Sequence, residues 1–285
     1  MARRRLATIT FATMLLAAGC TPALPPSLDG DLGNNWAAVA APEPYQPKVG
    51  TCLHVSGDYT AAAKNRLDDT VVACTERHEV QIAGVGDLGP DGATDAAETK
   101  AYRDCDAMAT GFLHEDWRNG RLEIRVVHGL TARDGDGSRW WECVLLAQDE
   151  FYIATTSTED MSGGIPRSLR RGCQTTKQTG DQIFGVVAVD CAKPHNAEYA
   201  GAMVFPAGTQ FPSNDRTWNV IHEGCRAVVA KFVGVSQNQV RNLYSSPMRD
   251  KKAWPELRDV RCYVYVYPKT MTKSAKGTHG KGVPW

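Results

Sequence analysis

No run of 18 or more apolar residues occurs in this 285-residue chain, which excludes an ordinary membrane-spanning helix. Charge of one sign is not in excess either. The 32 basic and 32 acidic side chains balance, whereas a dedicated nucleic-acid binder would show a strong basic surplus. Three short catalytic patterns are missing: Gly-x-Ser-x-Gly, His-Glu-x-x-His and Cys-x-x-Cys. The Gly280-Lys281 pair lacks the spacing and the preceding strand of a phosphate-binding loop. Asp134-Gly135-Asp136-Gly137-Ser138 starts like a calcium loop, but Arg139 stands where glycine is needed and Leu145 where a bidentate glutamate is needed. A polar hairpin turn is the reading that remains. What is present, 42% hydrophobic and 22% charged residues, suits a packed globular protein and excludes wholesale disorder.

The first twenty residues read as an export signal. Arg3, Arg4 and Arg5 form a positive start, and Leu6 to Ala18 form an apolar core too short to span a bilayer. Leu16-Ala17-Ala18-Gly19-Cys20 resembles the lipobox of bacterial lipoproteins, although Ala17 holds the place where leucine is usual. The resemblance implies a signal peptide over residues 1–19 and a diacylglycerol on the Cys20 thiol. The alternative is a plain secretory signal with an incidental cysteine. Without residues 1–19 the chain has 29 basic and 32 acidic groups, a net of −3, so attachment would come from the lipid and not from a basic surface. Residues 20–47 are rich in Pro and Ala and lack apolar periodicity. Such chain is semi-extended at about 3 Å per residue and reads as a tether. The expected location is the extracytoplasmic face of the cell membrane.

Nine cysteines is an odd number, and assigning Cys20 to the lipid leaves eight. Those eight fall into two sets: Cys52, Cys74, Cys105, Cys143 and Cys173, Cys191, Cys225, Cys262. Taken in order, the sets are offset by 121, 117, 120 and 119 residues, the mark of an internal duplication. The surroundings repeat as well. Cys74 and Cys191 each precede a histidine by four places (His78, His195), and Gly84 and Gly201 follow six places later. Each half then shows a helical pattern, Ala101, Cys105, Met108, Phe112 and Ile221, Cys225, Val228, Phe232, and closes on a strand-like run.

Read in order, each copy has an extended segment up to its second cysteine, a strand after the histidine, a helix, and two more strands. This predicts an α+β fold: two tandem disulfide-stapled domains, each a small antiparallel sheet with one packed helix. The boundaries are 48–150 for the first copy and 169–268 for the second, with a linker over 151–168 and a basic disordered tail over 269–285. That tail carries Lys269, Lys273, Lys276 and Lys281, and weak attachment to an anionic wall polymer or lipid is one use for it. Three disulfide pairings are possible within each set of four. The helical stripe aims Cys105 and Cys225 at the sheet, and strand alternation puts Cys262 on one face with Val264 and Val266, opposite Tyr263, Tyr265 and Tyr267. The favoured pairing is therefore Cys52–Cys74, Cys105–Cys143, Cys173–Cys191 and Cys225–Cys262.

The recurring unit resembles the septum formation domain, a family of actinobacterial envelope proteins. Val49-Gly50-Thr51-Cys52-Leu53 is similar to its opening, and the run from Cys191 through His195 and Glu198 to Gly201 is similar to its central motif. The first copy departs from the pattern, with Gln81 where the second has Glu198 and Arg77 where it has Pro194. The resemblance implies a role in division or the septal envelope and brings no catalytic residues and no cofactor. His78 and His195 invite a metal reading, because Cys-x-x-x-His spaces sulfur and imidazole one helical turn apart. An oxidised cysteine is no thiolate ligand, and the segment reads as a turn between strands, so the histidines are expected to fix that turn.

The function expected is non-catalytic: a lipid-anchored envelope protein that binds or scaffolds, possibly in septum formation. Its partners would be the membrane, through the lipid, and an envelope protein or wall polymer, with no nucleic acid. Two alternatives are a ligand-binding or sensing lipoprotein with its site between the copies, and a secreted enzyme, which would need convergent titratable groups.

Overall fold

The computed structural model describes residues 47–55, 70–89, 94–128, 139–150, 153–180, 182–247, 254 and 257–285. The export signal, Cys20 and Asp134–Ser138 lie outside them.

The first copy contains β1 (Cys52–His54), β2 (Thr70–Val72), β3 (Val80–Asp87), α1 (Asp95–Leu113), β4 (Leu122–His128) and β5 (Trp140–Ala147). Its strands form one antiparallel sheet in the order β2-β1-β3-β5-β4. The second contains β6 (Cys173–Thr179), β7 (Gln182–Val189), β8 (Ala197–Val204), α2 (Asp215–Val233), β9 (Leu243–Pro247) and β10 (Asp259–Tyr265). Its sheet runs β7-β6-β8-β10-β9, the same plan, again antiparallel throughout. The chain is therefore α+β, with one helix inserted at the same point of each sheet.

Both helices are 19 residues long and carry explicit start and stop chemistry. Thr94 caps α1 by accepting the Ala97 N–H, and α1 ends at His114 in the left-handed region (φ 56°). Asn214 and Thr217 form a reciprocal capping box at the start of α2, and Gly234 (φ 83°) terminates it without steric cost. The buried stripes step by four: Ala101, Cys105, Ala109, Leu113 in α1 and Ile221, Cys225, Val229, Val233 in α2. Met108, Phe112, Val228 and Phe232, expected on the stripe, are half-buried and pack at its margin. Ala109 and Val229 face the sheet in their place.

The cysteines pair first with second and third with fourth in each copy, with Cα separations of 5.0–5.3 Å. Cys105–Cys143 and Cys225–Cys262 staple helix to sheet. Cys52–Cys74 and Cys173–Cys191 tie the first strand to the turn after the second. On the chain-entropy account each loop, of 18 to 38 residues, contributes about 3–4 kcal/mol.

Three expectations are corrected. The first cysteine of each copy sits on a strand, β1 or β6, that the sequence did not announce. Residues 174–179 of β6 are all polar or threonine, so apolar alternation could not mark them. The expected linker over 151–168 is no linker: Met161 and Ile165 lie in the first core beside Trp117, Leu122 and Leu145, as does Leu169, expected at the start of the second copy. The tail is likewise ordered, with Met271, Ala275 and Val283 buried in the second core. Each copy thus ends in a closing segment built mainly from turns, which places Met161, Ile165 and Leu169, or Met271, Ala275 and Val283, in the core while Ser162 and Ser168, or Lys273 and Lys276, face water. Both copies belong to one compact unit spanning Pro44–Trp285.

Met161 is wholly buried, so Met161→Ala should lower unfolding free energy by about 3 kcal/mol in chemical denaturation. A loss under about 0.5 kcal/mol, the range of surface changes, would restore the linker reading.

Candidate functional site

The repeated Cys-x-x-x-His segment forms a tight turn before β3 and again before β8. His78 Nδ1 and the Glu76 carbonyl oxygen are 2.8 Å apart, and His195 Nδ1 and the Lys193 carbonyl oxygen are 2.8 Å apart. Each ring therefore fastens its own turn. The backbone of each histidine also pairs with the closing segment, His78 reciprocally with Ser157 and His195 reciprocally with Met271. Both imidazoles are fully buried, and their Nε2 atoms have no hydrogen-bond partner.

Three residues beyond each histidine, a buried side chain clamps the closing segment. Gln81 donates through Nε2 to Asp160 Oδ1 (2.7 Å), and its Oε1 accepts the Met161 N–H (2.8 Å). Glu198 accepts from the Ser274 hydroxyl (2.5 Å) and from the Ala275 N–H (2.6 Å). The first copy's apparent departure from the motif is thus a matched exchange. An amide faces a carboxylate in one copy, and a carboxylate faces a hydroxyl in the other. The Gln81 donor, with the Ser162 N–H, holds the Asp160 carboxyl below the usual range. Its stabilising effect is present above the ordinary aspartate value and is lost as pH falls through the lowered one. Gly84 and Gly201 let the helices approach: a Cβ at Gly84 would overlap Met108, and Gly201 (φ 143°) meets Val228 at 3.0 Å.

Among the described residues, one group could suggest a metal: Cys173, His195 and Glu198, with ligand atoms within 4.8 Å of one another. The donor set does not fit. Cys173 is bonded to Cys191 and is no thiolate, and both Glu198 oxygens already accept hydrogen bonds. One imidazole nitrogen remains.

A second polar cluster, unmarked in the sequence, joins the copies. Arg118, on the 3-10 turn after α1, places Nε 2.8 Å from Asp259 of β10, with Asp106 at 2.8 Å and Asp116 at 3.2 Å. Burial works against the Arg118 charge, and these three carboxylates outweigh it. Tyr199 of β8 donates its hydroxyl to the Arg118 carbonyl (2.9 Å), and burial pushes that phenol up, so it stays a donor. Arg261 reaches the Leu122 carbonyl (3.1 Å), and Arg171 bonds the Gly120 carbonyl (3.0 Å) and the Tyr263 hydroxyl (3.2 Å). Tyr199 and Tyr263 stack edge to face behind this seam. Trp141 of β5 enters the first core, and its neighbour Trp140 is half-buried.

The family described as septum formation matches residues 89–262, more than half of the chain. The chain belongs to the septum formation family. Membership assigns a coarse role in cell division. The match runs from ahead of α1 to Cys262, across the seam, so it is wider than either copy alone. No curated protein and no solved structure matches the chain. No helix among the described residues is long and apolar enough to cross a membrane.

The clamp makes a sharp prediction. Gln81→Glu should set a buried carboxylate against that of exposed Asp160 and cost about 2 kcal/mol in denaturant unfolding. Adding Asp160→Ser, which recreates the second copy's pair, should recover at least half of that loss. No recovery in the double variant would show that the clamp is not a matched pair.

Proposed function

We propose that the protein is a non-catalytic envelope module, anchored by a lipid at Cys20, that binds or scaffolds an envelope component during septum formation. One observation carries the non-catalytic part. The polar side chains repeated in both copies, His78 with Gln81 and His195 with Glu198, direct their hydrogen bonds inward to the turn and the closing segment. They hold the fold closed and present no pair of titratable groups to a cleft. Family membership supplies the link to division. The lipid reading rests on the Leu16 to Cys20 pattern, and the lack of a charge surplus leaves the lipid as the means of attachment.

Two experiments test this reading. Cys20→Ala should release the protein from membranes or block its processing. Membrane retention equal to that of the unaltered chain would require another anchor. The exchange Glu198→Gln with Ser274→Asp installs the first copy's clamp in the second. Division should proceed normally in cells carrying it, scored by septum spacing and by position of a fluorescent fusion. Loss of division with a folded protein would mean that the Glu198 carboxylate does chemistry.

A further inference from the structure

The seam between the copies leaves a cleft of about 620 Å³, within the size range of small-ligand sites. Asn119, Arg170 and Arg171 line one side, and Lys231, Phe232 and Lys276 line the other. Four of its lining residues are cationic and none is acidic. Two of the cations are already engaged, Arg170 by Glu115 and Arg171 by Tyr263. Lys231 and Lys276 make no ion pair among the described residues, and both are exposed. Against a chain whose net charge without residues 1–19 is −3, this is a local concentration of positive potential.

The duplication provides an internal control. Lys231 occupies the helix position held by Gly111 in the first copy, each two residues before the helix end. Lys276 follows Ser274 by two residues, as Ser162 follows Asp160, and in both turns the backbone N–H bonds back to that side chain. Both unpaired cations therefore belong to the second copy, beside the seam, and the common fold does not require them.

We infer that this cleft binds a phosphate group carried on an organic backbone, deepening the binding role proposed above. Two ammonium groups on flexible stems suit a phosphate as point charges, and Phe232 with Val228 offers apolar surface for the attached carbon chain. A wall-polymer phosphodiester and a phospholipid headgroup share this chemistry.

The test compares the unaltered full-length chain with Lys231→Gly/Lys276→Ser, which installs the first copy's residues at two exposed positions. A soluble glycerol phosphate oligomer is titrated calorimetrically at low ionic strength. In parallel, binding to phosphatidylglycerol vesicles is measured against phosphatidylcholine vesicles. The unaltered chain should bind the oligomer or prefer the anionic vesicles, and the double variant should bind about thirtyfold more weakly with an unchanged melting temperature. Binding to the oligomer alone identifies a polymer source, and preference for anionic vesicles alone identifies a headgroup. No binding to either probe, or equal binding by the two chains, overturns the inference. A fusion that still reaches the septum in that case leaves the envelope role standing and removes only this ligand.

Discussion

Arg118 and Asp259 lie 141 residues apart in the chain, both shielded from water, and their contact fixes how the two copies meet. A buried guanidinium loses its hydration, and only a full set of partners offsets that loss. Arg118 has three carboxylates to answer it, two from its own copy and one from β10 of the other. Pulling the copies apart would remove the only fully buried member of that set. The pair adds little net stability over an apolar contact of the same shape, but it penalises every arrangement except one. The Tyr199, Arg171 and Arg261 bonds depend on that arrangement, and so does the cleft, whose walls come from both sides of the seam.

Within each copy the histidine turn and the closing segment form a second level of organisation. The turn is fastened by its own imidazole and bridged to the segment by paired backbone bonds. The clamp side chain then satisfies an N–H that would otherwise be buried without a partner. With so few apolar residues, the segment could not order itself by burial alone, since each fixed residue costs about 1–2 kcal/mol of backbone entropy. Polar capture at one point lets Met161 or Met271 with Ala275 complete the core beneath the helix. The disulfides lie elsewhere, at the first strand and the helix, so the closing segments are held without covalent help.

Much of this plan was legible from residue spacing. Cysteines keeping step near a period of 120 pointed to two units, which agrees with two sheets of like strand order, and helix and strand periodicity aimed Cys105 and Cys262 into the cores. The parts that escaped did so for physical reasons. β1 has only three residues, and β6 is polar because its neighbours on both sides, not its own side chains, hold it in the sheet. The linker reading over 151–168 missed Met161 and Ile165, isolated apolar residues beside Ser162, Gly163 and Gly164 with no periodicity to mark their burial. Nothing local distinguishes Arg118 and Asp259 from the other charged residues, because what matters is a meeting across the chain. The Gln81 position departs from the pattern in sequence, and the reason, Asp160 opposite it, lies 79 residues away.

A chain made of two similar halves can fold with its parts exchanged, a familiar failure of tandem repeats. The matched clamps guard against this. Laid across the second copy, the segment bearing Asp160 would bring its carboxylate against that of buried Glu198, two like charges at one clamp. The reverse placement is chemically tolerable, since Gln81 can face a serine. Within one chain, however, neither segment can move without displacing the other, so forbidding one exchange forbids both. The difference between an amide and an acid at one repeated position therefore acts as an address, telling each closing segment which half of the protein is its own.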